Sequence, residues 1–135
     1  MTFPDRKYGR IGDLAAEYFE RSAAAQASVD GTKLAAAAEL LEAAYGRGAF
    51  VYVCGNGGSA SISNHLACDH LKGAQTDTDL LPRVVSLAAT METITAIAND
   101  LSFDDIFVYQ LRTLASDGDV LITVSSSGDS ENVVR

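Results

Sequence analysis

The chain has 135 residues, 47% apolar and 21% charged, which is the balance of a soluble globular protein of one ordinary domain. Its 18 Asp and Glu against 10 Lys and Arg give a net charge of −8, which argues against a basic surface for nucleic acid or for an anionic membrane. No apolar run approaches the ~20 residues that a membrane span needs, and no export signal is recognisable. Cys54 and Cys68 form no CxxC pair. We therefore expect a cytoplasmic protein with reduced thiols.

Two helices are predicted at the start of the chain, over residues 11–29 and 32–45. Asp30-Gly31 ends the first helix, and Gly46 and Gly48 close the second, which is rich in Ala and Leu. Small side chains suit close helix–helix packing, so this pair is either part of the core or a subunit interface. We assign residues 1–48 to an N-terminal helical segment of the same domain as residues 49–135.

Strands and helices alternate in the rest of the chain. Short apolar runs predict strands, and capping and glycine signals predict the helices between them. The first three elements are a strand over 49–54, a helix from Ser59 to Leu71 that stops at Gly73, and a strand over 83–87. Two helices follow, one capped by Thr90 and ending at Ala98, and one from Asp104 or Asp105 to Ala115. The last two elements are a strand over 119–124 and a helix that begins at Glu131. This order predicts parallel strands with right-handed crossovers. Because three parallel strands leave faces and edges uncovered, we expect either a fragment or further strands supplied from elsewhere.

A glycine-rich loop, Gly55-Asn56-Gly57-Gly58, follows the first predicted strand, and Ser59 opens the next helix. A dinucleotide site would also need an acidic residue at the end of the second strand, whereas Asp77 and Asp79 precede that strand. The favoured interpretation is a turn that lets a ligand approach the backbone, with hydrogen bonds from Asn56 and Ser59. A tight turn of purely structural origin is the alternative.

A serine-rich loop, Ser125-Ser126-Ser127-Gly128-Asp129-Ser130, follows the third predicted strand and opens the last helix. Hydroxyls and unpaired N–H groups converge at such a position, and the helix dipole favours an anion. The alternative is that Ser130 is simply an N-cap. Since both loops follow parallel strands, both belong at the carboxyl edge of the sheet, where open α/β folds bind ligands.

Three stretches together resemble the sugar isomerase (SIS) domain of the phosphoheptose isomerase family: CGNGGSA, AIAND followed by FDDIF, and DVLITVSSSGDSENV. The resemblance covers about residues 11–135. It implies a flavodoxin-like three-layer αβα sandwich with a parallel sheet, a sedoheptulose 7-phosphate substrate, and a homotetramer with active sites between subunits. It also implies a sugar site at Asn56, Gly57 and Gly58, substrate contacts from Asn99 and Asp100, and a phosphate grip from Ser125, Ser126, Ser127 and Ser130.

The predicted helix after the glycine loop carries His65 and Asp69, four residues apart and therefore on one face. Such a pair can be two metal ligands, or an acid and a base. Aldose–ketose isomerisation through an enediol needs a base to move a proton, and an acid or a metal to polarise the carbonyl. The resembled family has a histidine and a glutamate here, with the glutamate as base and both able to bind zinc, so Asp69 departs from it by one methylene. Of the neighbours, Cys68 could pair with His65 at a metal but fits an inert thiol better, and His70 fits a surface or interface position.

Two functions fit these residues and motifs. The first is an isomerase that converts sedoheptulose 7-phosphate to a heptose 7-phosphate, with Asp69 and His65 as catalytic residues and zinc as a possible cofactor. The second is a non-catalytic SIS module that binds a sugar phosphate, or a protein partner, in a regulatory role. The retained His65, Asn99-Asp100 and the serine loop favour the enzyme, whereas the aspartate in place of glutamate favours the module.

Overall fold

A computed structural model describes residues 3–135, which divide into two compact units between Ala38 and Glu39. This division falls within the second helix. The predicted segment boundary at residue 48 stays a prediction, and residues 1 and 2 of that segment lie outside the described residues. No helix in this described range is long and apolar enough to cross a membrane.

The first unit consists of helix α1 (Ile11–Ala27), the first half of helix α2 (Gly31–Gly46) and the segment before them. The two predicted helices are confirmed, with ends shifted by one or two residues. Asp30 accepts hydrogen bonds from the backbone N and the hydroxyl of Thr32, at 2.9 and 2.7 Å, and so caps α2. All 17 residues of α1 are at least partly exposed. Large apolar side chains therefore face outward on this unit, namely Ile11, Tyr18, Phe19, Val29 and Leu34.

The second unit is built on a parallel sheet of three strands, β1 (Phe50–Gly55), β2 (Arg83–Ser86) and β3 (Val120–Val124). The strand order is β2-β1-β3, so β1 is central. Gly55 stands opposite Val124, which brings the carboxyl ends of β1 and β3 to the same level. The predicted parallel strands are thus confirmed.

The central strand β1 is buried on both faces of the sheet, whereas Leu121 and Thr123 on the edge strand β3 are exposed. Tyr52 and Cys54 pack on one side in a cluster whose other buried members are Leu87, Ile97, Ile106, Phe107 and Val133. Because side chains alternate along a strand, Val51 and Val53 point to the opposite side, and both are fully buried. Helix α3 (Gly58–Cys68) contacts all three strands. Helices therefore cover the sheet in the predicted three-layer arrangement.

Two of the predicted helices have a different form in the structure. The helix after the glycine loop does not stop at Gly73, because α3 continues as a π-helical turn over Asp69–Ala74. The helix predicted from Asp104 or Asp105 is broken into a 3₁₀ turn, Phe103–Asp105, and helix α5 (Val108–Leu114). Ser102 starts that turn, since its hydroxyl accepts a hydrogen bond from the backbone N of Asp104 at 3.1 Å.

The remaining helices, α4 (Met91–Asp100) and α6 (Glu131–Val134), lie where the sequence predicts them. Thr90 occupies the N-cap position of α4, but its side chain makes no capping hydrogen bond there. The first intrahelical hydrogen bond starts at this residue, because the N–H of Ile94 donates to the carbonyl oxygen of Thr90 at 3.1 Å. Thr90 therefore stands at the predicted start of the helix.

Gly55, the last residue of β1, lies in close contact with the end of β3 and with the first turn of α3. A Cβ atom added at Gly55 would lie 2.6 Å from the carbonyl oxygen of Val124 and 2.7 Å from the Cβ of Ser59. Both distances are far below van der Waals contact. The end of β1 can therefore approach β3 and the first turn of α3 this closely only without a side chain.

We predict that Gly55→Ala lowers the free energy of unfolding by about 1–3 kcal/mol, because the added methyl group must push backbone atoms apart. Gly46→Ala is the matched control, since a Cβ there meets no atom within 4 Å. Urea denaturation followed by circular dichroism measures both variants. Equal midpoints for Gly55→Ala and the parent chain would contradict the close approach.

Candidate functional site

The first loop turns sharply between β1 and α3. Gly57 has φ +53°, in the left-handed region that favours glycine, and α3 begins at the next residue, Gly58. The backbone N of Ser59 donates to the carbonyl oxygen of Asn56 at 2.9 Å, which closes the turn. The side chain of Asn56 is half-buried and points from this loop toward the second loop.

The second loop is held by its own hydroxyls. The backbone N of Gly128 donates to the Oγ of Ser125 at 3.0 Å, and the Oγ of Ser127 lies 3.4 Å from the hydroxyls of both Ser125 and Ser130. Ser130 occupies the N-cap position of α6, yet its side chain makes no capping hydrogen bond in this described segment. The hydroxyl of Ser130 therefore makes no capping hydrogen bond to α6.

The two loops meet at the carboxyl edge of the sheet around a cavity of about 50 Å³, the loop cavity. Polar side chains from both loops line it, together with the last residue of β3: Asn56, Ser59, Val124, Ser125, Ser126 and Ser130. The structure thus brings together most of the side chains predicted to bind ligand. Ser127 is exposed and contacts the lining serines instead. Their roles toward a ligand stay predictions.

A pair of asparagines joins the first loop to α6, the helix that follows the second loop. The Nδ2 of Asn56 donates to the Oδ1 of Asn132, and the Nδ2 of Asn132 donates to the Oδ1 of Asn56, both at 2.8 Å. Asn132 lies on α6 and is 4% exposed. No sequence signal points to Asn132, because no spacing pattern connects it with a residue 76 positions earlier.

His65 and Asp69 lie on one face of the helix that starts at the first loop. The Nε2 of His65 is 3.7 Å from the Oδ2 of Asp69, with 77% and 62% of the two side chains exposed. Both line an open cavity of about 690 Å³ with Ser61, Ile62, Leu66 and His70. The two side chains therefore share one face of the helix, as predicted, and each is accessible to a ligand.

The described residues supply two donors of a zinc site, His65 and Asp69. Zinc in proteins takes three or four protein ligands, and residues 3–135 contain no cluster of three or more His, Cys, Asp or Glu side chains that could hold a metal ion. These two donors do not complete a zinc site by themselves.

The thiols and the second histidine of this region have other surroundings. Cys68 is exposed and Cys54 is buried, and neither forms a disulfide. Burial raises the pKa of the Cys54 thiol to about 11, so this thiol is protonated and unreactive near neutral pH. His70 is half-buried: its Nδ1–H donates to the carbonyl oxygen of Leu66 at 2.8 Å, and its ring meets the edge of Tyr45.

Asn99 and Asp100 form the last turn of α4. The Nδ2 of Asn99 donates to the Oδ1 of Asp100 at 2.7 Å, and both side chains are exposed. Asp100 lines a separate cavity of about 290 Å³ with Ala96, Ile97, Leu101 and Tyr109. The structure does not bring this pair into the lining of the loop cavity, and their predicted contact with substrate stays a prediction.

Comparison with known proteins places these features in a family. Residues 17–135 match the SIS domain family. The chain is 44% identical over 98 residues to a phosphoheptose isomerase of Alteromonas mediterranea, which covers 73% of the chain and 49% of that protein. It is 39% identical over 124 residues to a phosphoheptose isomerase of Solidesulfovibrio magneticus, which covers 90% and 60%.

A solved structure of a phosphoheptose isomerase from Francisella tularensis has the same fold. It superposes with a TM-score of 0.84 at 33% sequence identity, and the match covers 93% of this chain and 66% of that one. The chain spans about half the length of the two relatives, 49% and 60%.

Proposed function

The chain belongs to the SIS domain family, and from that premise we propose that it is an isomerase that converts sedoheptulose 7-phosphate to D-glycero-D-manno-heptose 7-phosphate. The relatives named phosphoheptose isomerase support the substrate and the type of reaction. The observation on which the proposal rests most is the meeting of the two loops beside the helix that carries His65 and Asp69.

The loop cavity is suited to a phosphate group. Serine hydroxyls and one carboxamide line it from two sides, and each can donate a hydrogen bond to a phosphate oxygen. Hydrogen bonds to a charged group are stronger than those between neutral groups. Ser59, which lines this cavity, belongs to the first turn of α3, so the proposed phosphate site lies at the start of the helix that leads to His65 and Asp69.

Asp69 and His65 supply the acid–base steps of an aldose–ketose isomerisation. The Asp69 carboxylate takes a proton from the hydroxymethyl carbon beside the ketone, and that C–H electron pair becomes the carbon–carbon double bond of the enediol. His65, when protonated, gives a proton to the ketone oxygen. Neutral His65 then takes the hydroxyl proton at the terminal carbon, so that the aldehyde forms there and His65 is protonated again, while Asp69 returns its proton to the neighbouring carbon.

Zinc remains part of the proposal as a possible cofactor, with His65 and Asp69 as two of its ligands. Imidazole nitrogen and carboxylate oxygen are both zinc donors. A bound zinc ion would polarise the carbonyl oxygen. Further ligands would have to come from outside the described residues.

The proposal also includes a cytoplasmic homotetramer with active sites between subunits. The outward apolar side chains of α1 support an interface, because large exposed apolar patches mark contact surfaces. The high exposure of His65 and Asp69 is consistent with a second subunit that covers them. The two free cysteines suit a reducing compartment.

The alternative function is a non-catalytic SIS module that binds a sugar phosphate or a protein partner in a regulatory role. One observation favours it: the carboxylate at position 69 is an aspartate, one methylene shorter than the glutamate of the resembled family. Displacements of about 1 Å can reduce the rate of an enzymatic step by ~100-fold.

Turnover by Asp69 variants distinguishes the two functions. We predict that Asp69→Glu raises kcat by about tenfold or more with little change in affinity, because the longer side chain improves only the proton transfer. Asp69→Asn removes the base and should abolish turnover while sparing binding. Both are measured with sedoheptulose 7-phosphate by following the aldose product, and Asp79→Asn, an exposed acid on the loop before β2, is the control.

Normal turnover by Asp69→Asn would place the base elsewhere. If the parent chain and Asp69→Glu bind the sugar phosphate and neither isomerises it, the regulatory module replaces the enzyme.

Light scattering tests the proposed assembly. We predict an oligomer at micromolar concentration, and a shift toward smaller species for the double variant Ile11→Glu/Phe19→Glu, because charges on the exposed face of α1 oppose its burial. Glu20→Gln, on the same helix, should leave the mass unchanged. A monomeric parent chain would refute the interface.

A further inference from the structure

The reciprocal hydrogen bonds between Asn56 and Asn132 connect the loop after β1 to α6, the helix that follows β3 and the second loop. Each carboxamide donates one N–H and accepts one N–H, at 2.8 Å in both directions, so the two side chains form a closed ring. The first loop therefore cannot move away from α6 without breaking both bonds.

This ring holds the Asn56 carboxamide in place beside the loop cavity. A carboxamide has two N–H donors and two acceptor lone pairs on its oxygen. The ring uses one of each on Asn56, which leaves one N–H and one lone pair for a ligand. Turning the Asn56 amide alone by 180° would break both hydrogen bonds, whereas turning both amides together preserves them, so the ring fixes the place and the plane of the Asn56 carboxamide.

Asn132 itself has no access to the ligand. The residues that line the cavity within the described chain include Asn56 but not Asn132, and Asn132 is 4% exposed. Its neighbour Val133 packs into the core cluster with Ile106 and Phe107. Asn132 is thus held in place by its helix while Asn56 meets the ligand.

We infer that Asn132 is a positioning residue of the sugar-phosphate site, which holds the Asn56 carboxamide at the wall of the loop cavity so that its free N–H can reach the anion. This inference rests on the proposed function. Among the described residues that line the cavity, Asn56 carries the one carboxamide, and the other polar groups are serine hydroxyls. Asn56 is also the lining side chain that a buried residue outside the lining holds in place.

A double-mutant cycle on ligand affinity tests whether Asn132 acts through Asn56. Calorimetric titration with sedoheptulose 7-phosphate, and separately with inorganic phosphate, is carried out on the parent chain, Asn56→Ala, Asn132→Ala and the double variant. We expect Asn132→Ala to weaken binding about tenfold in the parent, the equivalent of one hydrogen bond, and less than about twofold in the Asn56→Ala background. An equal loss in both backgrounds would overturn the inference.

Two further variants separate positioning from folding. Val133→Ala loosens the same helix without touching the amide ring, and we expect its affinity to stay within about twofold of the parent. A loss as large as that of Asn132→Ala would assign the effect to helix packing and refute the inference. Asn132→Asp keeps the shape of the side chain and carries the test if Asn132→Ala does not fold.

The Asn132→Asp variant also gives a pH readout. Its carboxylate can accept from Asn56 but cannot donate, whereas the protonated acid regains an O–H donor. The difference in ligand affinity between Asn132→Asp and the parent chain should therefore become smaller as the pH falls. A difference that does not change with pH would contradict the inference. A parent chain that binds neither ligand would refute the proposed function itself, whereas parent binding with additive losses would refute only the role of Asn132.

Discussion

The contact of the Gly55 backbone with Val124 and Ser59 is the constraint on which the rest of the site depends. A side chain at Gly55 would collide with the end of β3 and with the first turn of α3. Because none is present, the carboxyl ends of two parallel strands lie side by side and both loops open onto one cavity. The same turn starts α3, which places His65 and Asp69 on the helix that begins at the glycine-rich loop.

The chain pairs a net charge of −8 with a proposed anion site, and the two are compatible. The described residues that line the loop cavity are uncharged, and they would bind a phosphate through hydroxyl and amide donors rather than through a basic patch. Binding of this kind requires donors that are already oriented. The hydroxyl contacts within the serine loop and the ring between Asn56 and Asn132 provide that order without a ligand.

The sequence predicts the strands and loops well because local signals specify them: apolar β-branched runs for the strands, and glycine and serine clusters for the loops. Three features escaped it for physical reasons. The π-helical turn at Asp69–Ala74 has no distinct sequence signal in α3. The break before α5 arises from the Ser102 cap, which competes with the predicted helix start. The partnership of Asn132 with Asn56 is a tertiary contact across 76 residues, which periodicity cannot reveal.

Calorimetric titration of sedoheptulose 7-phosphate against the chain and its Ser125→Ala/Ser130→Ala variant tests the central claim most directly, since both hydroxyls line the loop cavity. Removing two hydrogen bonds to a charged phosphate should weaken binding by about 100-fold or more. Ser116→Ala, in the loop before β3 at the opposite edge of the sheet, should bind like the parent chain. Equal affinities for the parent and the double variant would contradict the assignment of the serine loop as the phosphate site.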